Sequence, residues 1–135
     1  MMARFMLDTN ICIYIARQRP RQVKARFERL RAGQVVMSTI TYGELSYGAM
    51  KSSQRHRALA QLQELVSDIP VAALDSQTGH VYGEIRTKLE QQERLIGNND
   101  LWIAAHALAL DLTLVTNNER EFRRIPGLSV ENWTT

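Results

Sequence analysis

Short apolar runs alternate along this chain with longer stretches whose apolar residues recur every three or four positions. Phe5-Met6-Leu7 is the first run, of the length and uniformity expected for a strand buried on both faces of a parallel sheet. "QVVMST" is the second, ending at Ser38-Thr39; "IPVAAL" is the third, "LTLVTN" the fourth, and "LSVEN" a fifth after the Pro126-Gly127 turn. Helical spacing fills the intervals. Thr9 is placed to cap a helix through about Arg17. After Pro20, Val23, Phe27 and Leu30 space an amphipathic helix that should close at Gly33. A helix from about Ile40 to Met50 carries Glu44 near its start, and the next places Leu59, Leu62 and Leu65 or Val66 on one face. Asp75 or Ser76 should cap a long helix to about Arg94. "DLWIAAHALAL" is apolar nearly all round and rich in alanine, which predicts a buried, closely packed helix headed by Asp100. Strands alternating with helices throughout predict one α/β domain over residues 1–135, with a mainly parallel sheet of about five strands.

One feature breaks this pattern. Asp8, followed by Thr9-Asn10, interrupts a stretch that is otherwise hydrophobic from Phe5 to Ile15. A buried unpaired carboxylate costs several kcal/mol or more, so Asp8 must reach a surface or be neutralised. In an open parallel sheet, ligands bind beyond the carboxyl ends of the strands, and the acids gather there. Asp8 follows the first strand, Glu44 follows the second by about one and a half helical turns, and Asp100 opens the helix leading to the fourth. Thr116, Asn117 and Asn118 follow the fourth, with Glu119 and Glu121 next. Gathered carboxylates repel, and one takes up a proton unless a cation is present. Oxygen donors without cysteine or histidine select a hard ion, Mg²⁺ or Mn²⁺, and such ions activate water and clamp phosphoryl oxygens in nucleases.

Composition narrows the picture further. Apolar content of 44% and charged content of 23% are those of a globular protein of 135 residues. The longest apolar stretches are broken by Asp8, by Asn98 to Asp100 or by Asp111, so no segment spans a membrane. Asp8 also interrupts what would be a signal peptide's hydrophobic region, so a cytoplasmic protein is expected. Its single cysteine, Cys12, excludes an internal disulfide and a cysteine zinc cage and reads as a core residue. The net charge of +3 is uneven: Arg17, Arg19, Arg21, Lys24, Arg26, Arg29 and Arg31 crowd one stretch, and Arg120, Arg123 and Arg124 another. Fourteen arginines against three lysines favour a phosphate-bearing partner, since the guanidinium forks onto phosphate.

Four segments, "MLDTNICIY", "STITYGELSYGA", "IGNNDLWIAAHALAL" and "LVTNNEREFRRIPGLSVENW", cover most of the chain and resemble PIN-domain proteins, more closely the VapC-type toxins of bacterial toxin–antitoxin pairs. The resemblance implies a sheet of order 3-2-1-4-5, a homodimer, Mg²⁺-dependent endoribonuclease activity with Mn²⁺ as substitute, and arrest of translation. It implies a tRNA substrate, with the initiator tRNA as a specific candidate, and a VapB-type antitoxin inserting a C-terminal segment into the acidic groove. Asp8, Glu44 and Asp100 match the family's three principal acids, which hold metal and activate water; Asn10, Ser38 and Thr116 match supporting polar positions, and Asn117 joins them in orienting the acids. Many relatives carry an aspartate where this chain has Asn118; Glu121 or Glu119 can replace it, and Glu121 is preferred.

Other readings fit less well. A dehalogenase-like phosphotransferase needs an acid where Asn10 stands, and the glycine spacing from Gly43 to Gly48 lacks the lysine of a phosphate-binding loop. His106 reads as a hydrogen-bonded core residue, His56 as exposed, and His80 has no companion at ligand spacing. The rival from another class is a catalytically silent domain that binds RNA or protein, but a pure binder of polyanions gains nothing from a buried acidic cluster.

Overall fold

The computed structural model describes residues 2–135. Five parallel strands form the sheet: β1 (Phe5–Leu7), β2 (Val35–Ser38), β3 (Val71–Ala72), β4 (Thr113–Val115) and β5 (Val130–Glu131), in the order β3-β2-β1-β4-β5. Among the described residues seven helices surround it: α1 (Thr9–Arg17), α2 (Arg21–Glu28), α3 (Thr39–Met50), α4 (Arg55–Asp68), α5 (Ser76–Gln91), α6 (Asn98–Ala109) and α7 (Glu119–Phe122).

The apolar runs form strands because both faces of the sheet are covered, and successive side chains divide between two cores. Phe5 and Leu7 of β1, with Val35 and Met37 of β2, pack with Ile11, Val23, Leu62 and Leu65 on one face. Met6 and Leu114 point the other way, against Leu89, Leu101, Ile103, Ala104 and Phe122. The alanines of α6 permit close approach to the sheet and to α5. Each fully buried large aliphatic side chain is worth about 1.5–3 kcal/mol, and β1 is flanked by them on both faces.

Several boundaries differ from the sequence reading, for local reasons. Asp8, not Thr9, caps α1: its Oδ1 accepts from the Ile11 N–H at 3.0 Å, leaving the Thr9 hydroxyl free for another partner. α2 ends at Glu28, and Gly33, with φ of 89°, belongs to the turn into β2. α5 ends at Gln91, short of Arg94, where Glu93 adopts a φ of 54°. Of the alternatives at its start, Asp75 is the cap, accepting from the Thr78 N–H at 2.9 Å. The terminal segment is held in place: Trp133 meets the edge of Phe5 with ring centroids 5.5 Å apart, and Arg26 pairs with Glu131 at 3.0 Å. Among the described residues no helix is long and apolar enough to cross a membrane.

Candidate active site

Because all strands run the same way, the residues following β1, β2 and β4 emerge at one edge of the sheet. Asp8 leaves β1 there with only 6% of its surface exposed. It is tolerated because it has partners: the Ile11 N–H, through the helix cap, and the Thr116 side chain at the end of β4. Burial nonetheless pushes its carboxyl above the ordinary range, and the nearby charge of Glu44 adds to that.

Glu44 sits half-buried on α3. Its Oε1 accepts from the Thr9 hydroxyl at 2.6 Å, and its Oε2 from the Asn99 amide at 3.4 Å. Thr9 therefore links the first acid's helix to the second acid, and Thr41 lies 3.2 Å from the same hydroxyl. Asp100, in the first turn of α6, is pushed up to about 6 by burial first, then by a hydrogen bond with Glu121, and by the charges of Glu121, Asp8 and Glu44. These couplings bring four carboxylates from four segments to one place. Glu121 is held there by α7, whose Phe122 is buried, and by Arg124, whose guanidinium donates to the carbonyls of Leu95 at 3.0 Å and Arg94 at 3.5 Å. That contact ties α7 to the loop leading into α6.

Glu119 is elsewhere. It pairs with Arg123 at 2.7 Å and accepts from Asn132 at 3.2 Å, and both partners hold its carboxyl below the usual range. Of the two acids offered in place of Asn118, only Glu121 therefore stands beside Asp100. The supporting polar residues divide as well. Thr116 touches Asp8 and accepts from the Asn118 N–H at 2.9 Å. The Asn10 side chain donates to Asn117 at 3.5 Å, and Asn117 to the Tyr14 hydroxyl at 3.1 Å, so these two side chains brace each other and α1, while the Asn10 backbone N–H donates to the Asp8 carboxylate. The Ser38 hydroxyl caps α3 through the Ile40 N–H at 3.1 Å and reaches His106 at 2.8 Å, away from the carboxylates. Thr9 and Asn99, neither singled out as an acid's partner from the sequence, make the hydrogen bonds to Glu44; their only signal was adjacency to Asp8 and Asp100.

The donor set suits a hard divalent ion. Among the described residues no three His, Cys, Asp or Glu side chains converge tightly enough to make a ready-formed cage. Mg²⁺ does not require one, since it keeps several waters and is held by one or two carboxylates together with substrate phosphate. Asp8 and Asp100, both raised by burial first and further by the charges of neighbouring carboxylates, are the pair a cation would relieve most.

The same cluster makes a stability prediction. Asp100's folded pKa, about 6, lies above its unfolded value of 3.8, so its contribution is fully present below pH 3.8 and is lost as pH rises through 6. Asp100 is half-exposed, and discounting for solvent screening leaves about 1 kcal/mol. In EDTA, the stability of wild type relative to Asp100→Asn should therefore fall by that amount between pH 4 and pH 7, as followed by thermal melts. A difference independent of pH would show that Asp100 is not strained by its neighbours.

The PIN domain family model matches residues 5–128. The chain belongs to the PIN domain family. Among similar PIN proteins, the "Ribonuclease VapC2" of Rickettsia felis is 42% identical, over 96% of this chain and 97% of its own length. The "tRNA(fMet)-specific endonuclease VapC" of Shigella flexneri is 44% identical, over 98% of this chain and 100% of its own. The crystal structure of DNA-bound VapBC from Salmonella typhimurium superposes with a TM-score of 0.91 at 41% identity, covering 98% of this chain and 99% of that one. Its PIN fold and the one described above agree in sheet order, as the resemblance in sequence implied.

Proposed function

We propose that this PIN protein is a metal-dependent endoribonuclease of the VapC type, the toxin of a toxin–antitoxin pair, acting in the cytoplasm on tRNA, with the initiator tRNA as the specific candidate. The observation that carries this reading is the convergence of Asp8, Glu44, Asp100 and Glu121 at the carboxyl edge of the sheet, strained as an anionic cluster is without a cation. The names of relatives over 40% identical along nearly the whole chain support the same class of reaction.

In this reading Asp8 and Asp100 hold Mg²⁺, or Mn²⁺ in its place, with Glu44 and Glu121 at the margin. When bound, the ion neutralises charge on the phosphodiester and acidifies water. The protein's own side chains do the rest. Thr116 fixes Asp8, while Thr9 and Asn99 fix both oxygens of Glu44. Asp100, its carboxyl raised by burial first and then by the hydrogen bond with Glu121, would stand with Glu121 at the α6–α7 side of a bound ion. Exposed Arg17, Arg19, Arg21 and Arg29 are free to take the RNA backbone, whereas Arg26 and Arg123 are engaged with Glu131 and Glu119.

A groove of about 660 Å³ runs from Thr9 and Glu44 between α1, α3 and α4, floored by Ile13, Leu45, Ala49 and Leu62. Its apolar floor beside an acidic end suits the docking segment of an antitoxin, and a homodimer is the expected form of the toxin.

The purified protein should cut RNA with Mg²⁺ and not with EDTA, and sequencing the new RNA ends after brief expression should identify the target. Folded protein that binds RNA with no metal-dependent cutting would favour the silent binding module instead. Glu121→Gln should weaken metal affinity or turnover by about tenfold, while Glu119→Gln does little. Near wild-type activity in both variants would mean that three acids suffice.

A further inference from the structure

His106 is fully buried on α6, in a core of alanine and isoleucine, and is not among the acids' own contacts. Its ring is nevertheless hydrogen-bonded at both ends. Nε2 lies 3.1 Å from the carbonyl oxygen of Ala73, just beyond β3, and Nδ1 lies 2.8 Å from the Ser38 hydroxyl. A carbonyl can only accept, so Nε2 carries the proton and Nδ1 is the acceptor; the Ser38 hydroxyl donates into it. The lone pairs of Ser38 accept from the Ile40 N–H at 3.1 Å, the cap of α3. Burial favours the neutral ring that this pattern needs, and Asp75 is the nearby charge that acts the other way. A second tie, from the Thr39 hydroxyl to the Ala72 carbonyl at 2.7 Å, secures the same junction.

The tie stands between the two helices that bring acids to the cluster. Glu44 lies six residues along α3 from Ser38, and Asp100 six residues back along α6 from His106. Over that length a helix rises about 9 Å. Any slip of α6 against the start of α3 is therefore passed to the spacing of the acids. We propose that His106 is a positioning residue of the cluster, fixing through Ser38 the separation of Glu44 and Asp100; this rests on the metal-dependent reading above.

The test uses Mn²⁺ affinity, read from the electron-spin signal of the free ion, beside kcat and KM for RNA. Removing the imidazole alone strands a buried hydroxyl; replacing both partners avoids that, at the cost of the Ile40 N–H cap and of the donor to the Ala73 carbonyl. Ser38→Ala/His106→Leu is thus the variant expected to fold. It should bind Mn²⁺ at least about tenfold more weakly, with kcat reduced alongside and KM for RNA unchanged. His106→Asn, whose amide can accept from Ser38, should recover much of both. Nitrogen NMR of the wild-type ring should find the proton on Nε2. A folded double variant with wild-type Mn²⁺ affinity and kcat would overturn the proposal, as would an Nδ1 proton or a His106→Asn variant no better than His106→Leu. Wild-type protein that binds Mn²⁺ but cuts no RNA would instead sink the ribonuclease reading, and the Mn²⁺ comparison would still decide the role of His106.

Discussion

Asp100→Asn will leave a folded protein whose RNA cleavage is reduced on the order of 10²–10³-fold, the scale lost when one preorganised charge is removed from a phosphoryl-transfer site. The substitution preserves shape and the first turn of α6, so the loss reports charge alone. Asp8→Asn should behave alike, because Asp8 is the most buried acid of the cluster and its cap to Ile11 survives in the amide. Both variants should melt no lower than wild type in EDTA, since each relieves repulsion among the carboxylates. The assay is cleavage of RNA by purified variants across a Mg²⁺ titration. Full activity in either would remove that residue from the mechanism.

The second large effect concerns the partner. An antitoxin segment seated in the α1–α3–α4 groove, as proposed above, would meet Glu44 at one end, the margin of the carboxylate cluster. A guanidinium there can fork onto two carboxylates and displace the divalent ion. An antitoxin is expected to be encoded beside this gene, and truncating its basic C-terminal residues should weaken binding on the order of 100-fold, the scale of a central hot spot. Growth arrest on expression of this chain should then no longer be rescued. Equal neutralisation by the truncated neighbour would mean that inhibition does not pass through the acids.

Much of this was legible in the sequence because it depends on one-dimensional patterns. Apolar runs ending in Asp8, Ser38 and Thr116 announce strands that stop at a common edge, and the sheet order followed from the resemblance to PIN proteins. What was not legible depends on which way a side chain turns. Thr9 and Asp8 are both good caps by type; the structure gives the cap to Asp8 and sends the Thr9 hydroxyl to Glu44. Ser38 looked like an orienter of acids, but it faces His106, an orientation set by how α6 packs on β2 and β3. Glu119 and Glu121 are separated by one position and differ by roughly 200° around a helix, so choosing between them required α7 to be docked. The groove between α1, α3 and α4 belongs to three helices at once and has no sequence signal.

The order of the strands also bears on how the protein is made. β1 is the middle strand, and its Phe5 pairs on one side with Val35 and on the other with Thr113. Half of the hydrogen-bonding capacity of the first strand thus waits for a partner synthesised near the end of the chain, and such long-range pairing is late and slow. Asp8 has its backbone N–H bonded to the Val115 carbonyl, so the first acid cannot be seated before β4 arrives, and Glu121 follows later still. A growing chain on the ribosome therefore lacks the assembled cluster until translation is nearly complete. Whatever chemistry the cluster performs is thus withheld from the nascent chain until it is essentially whole.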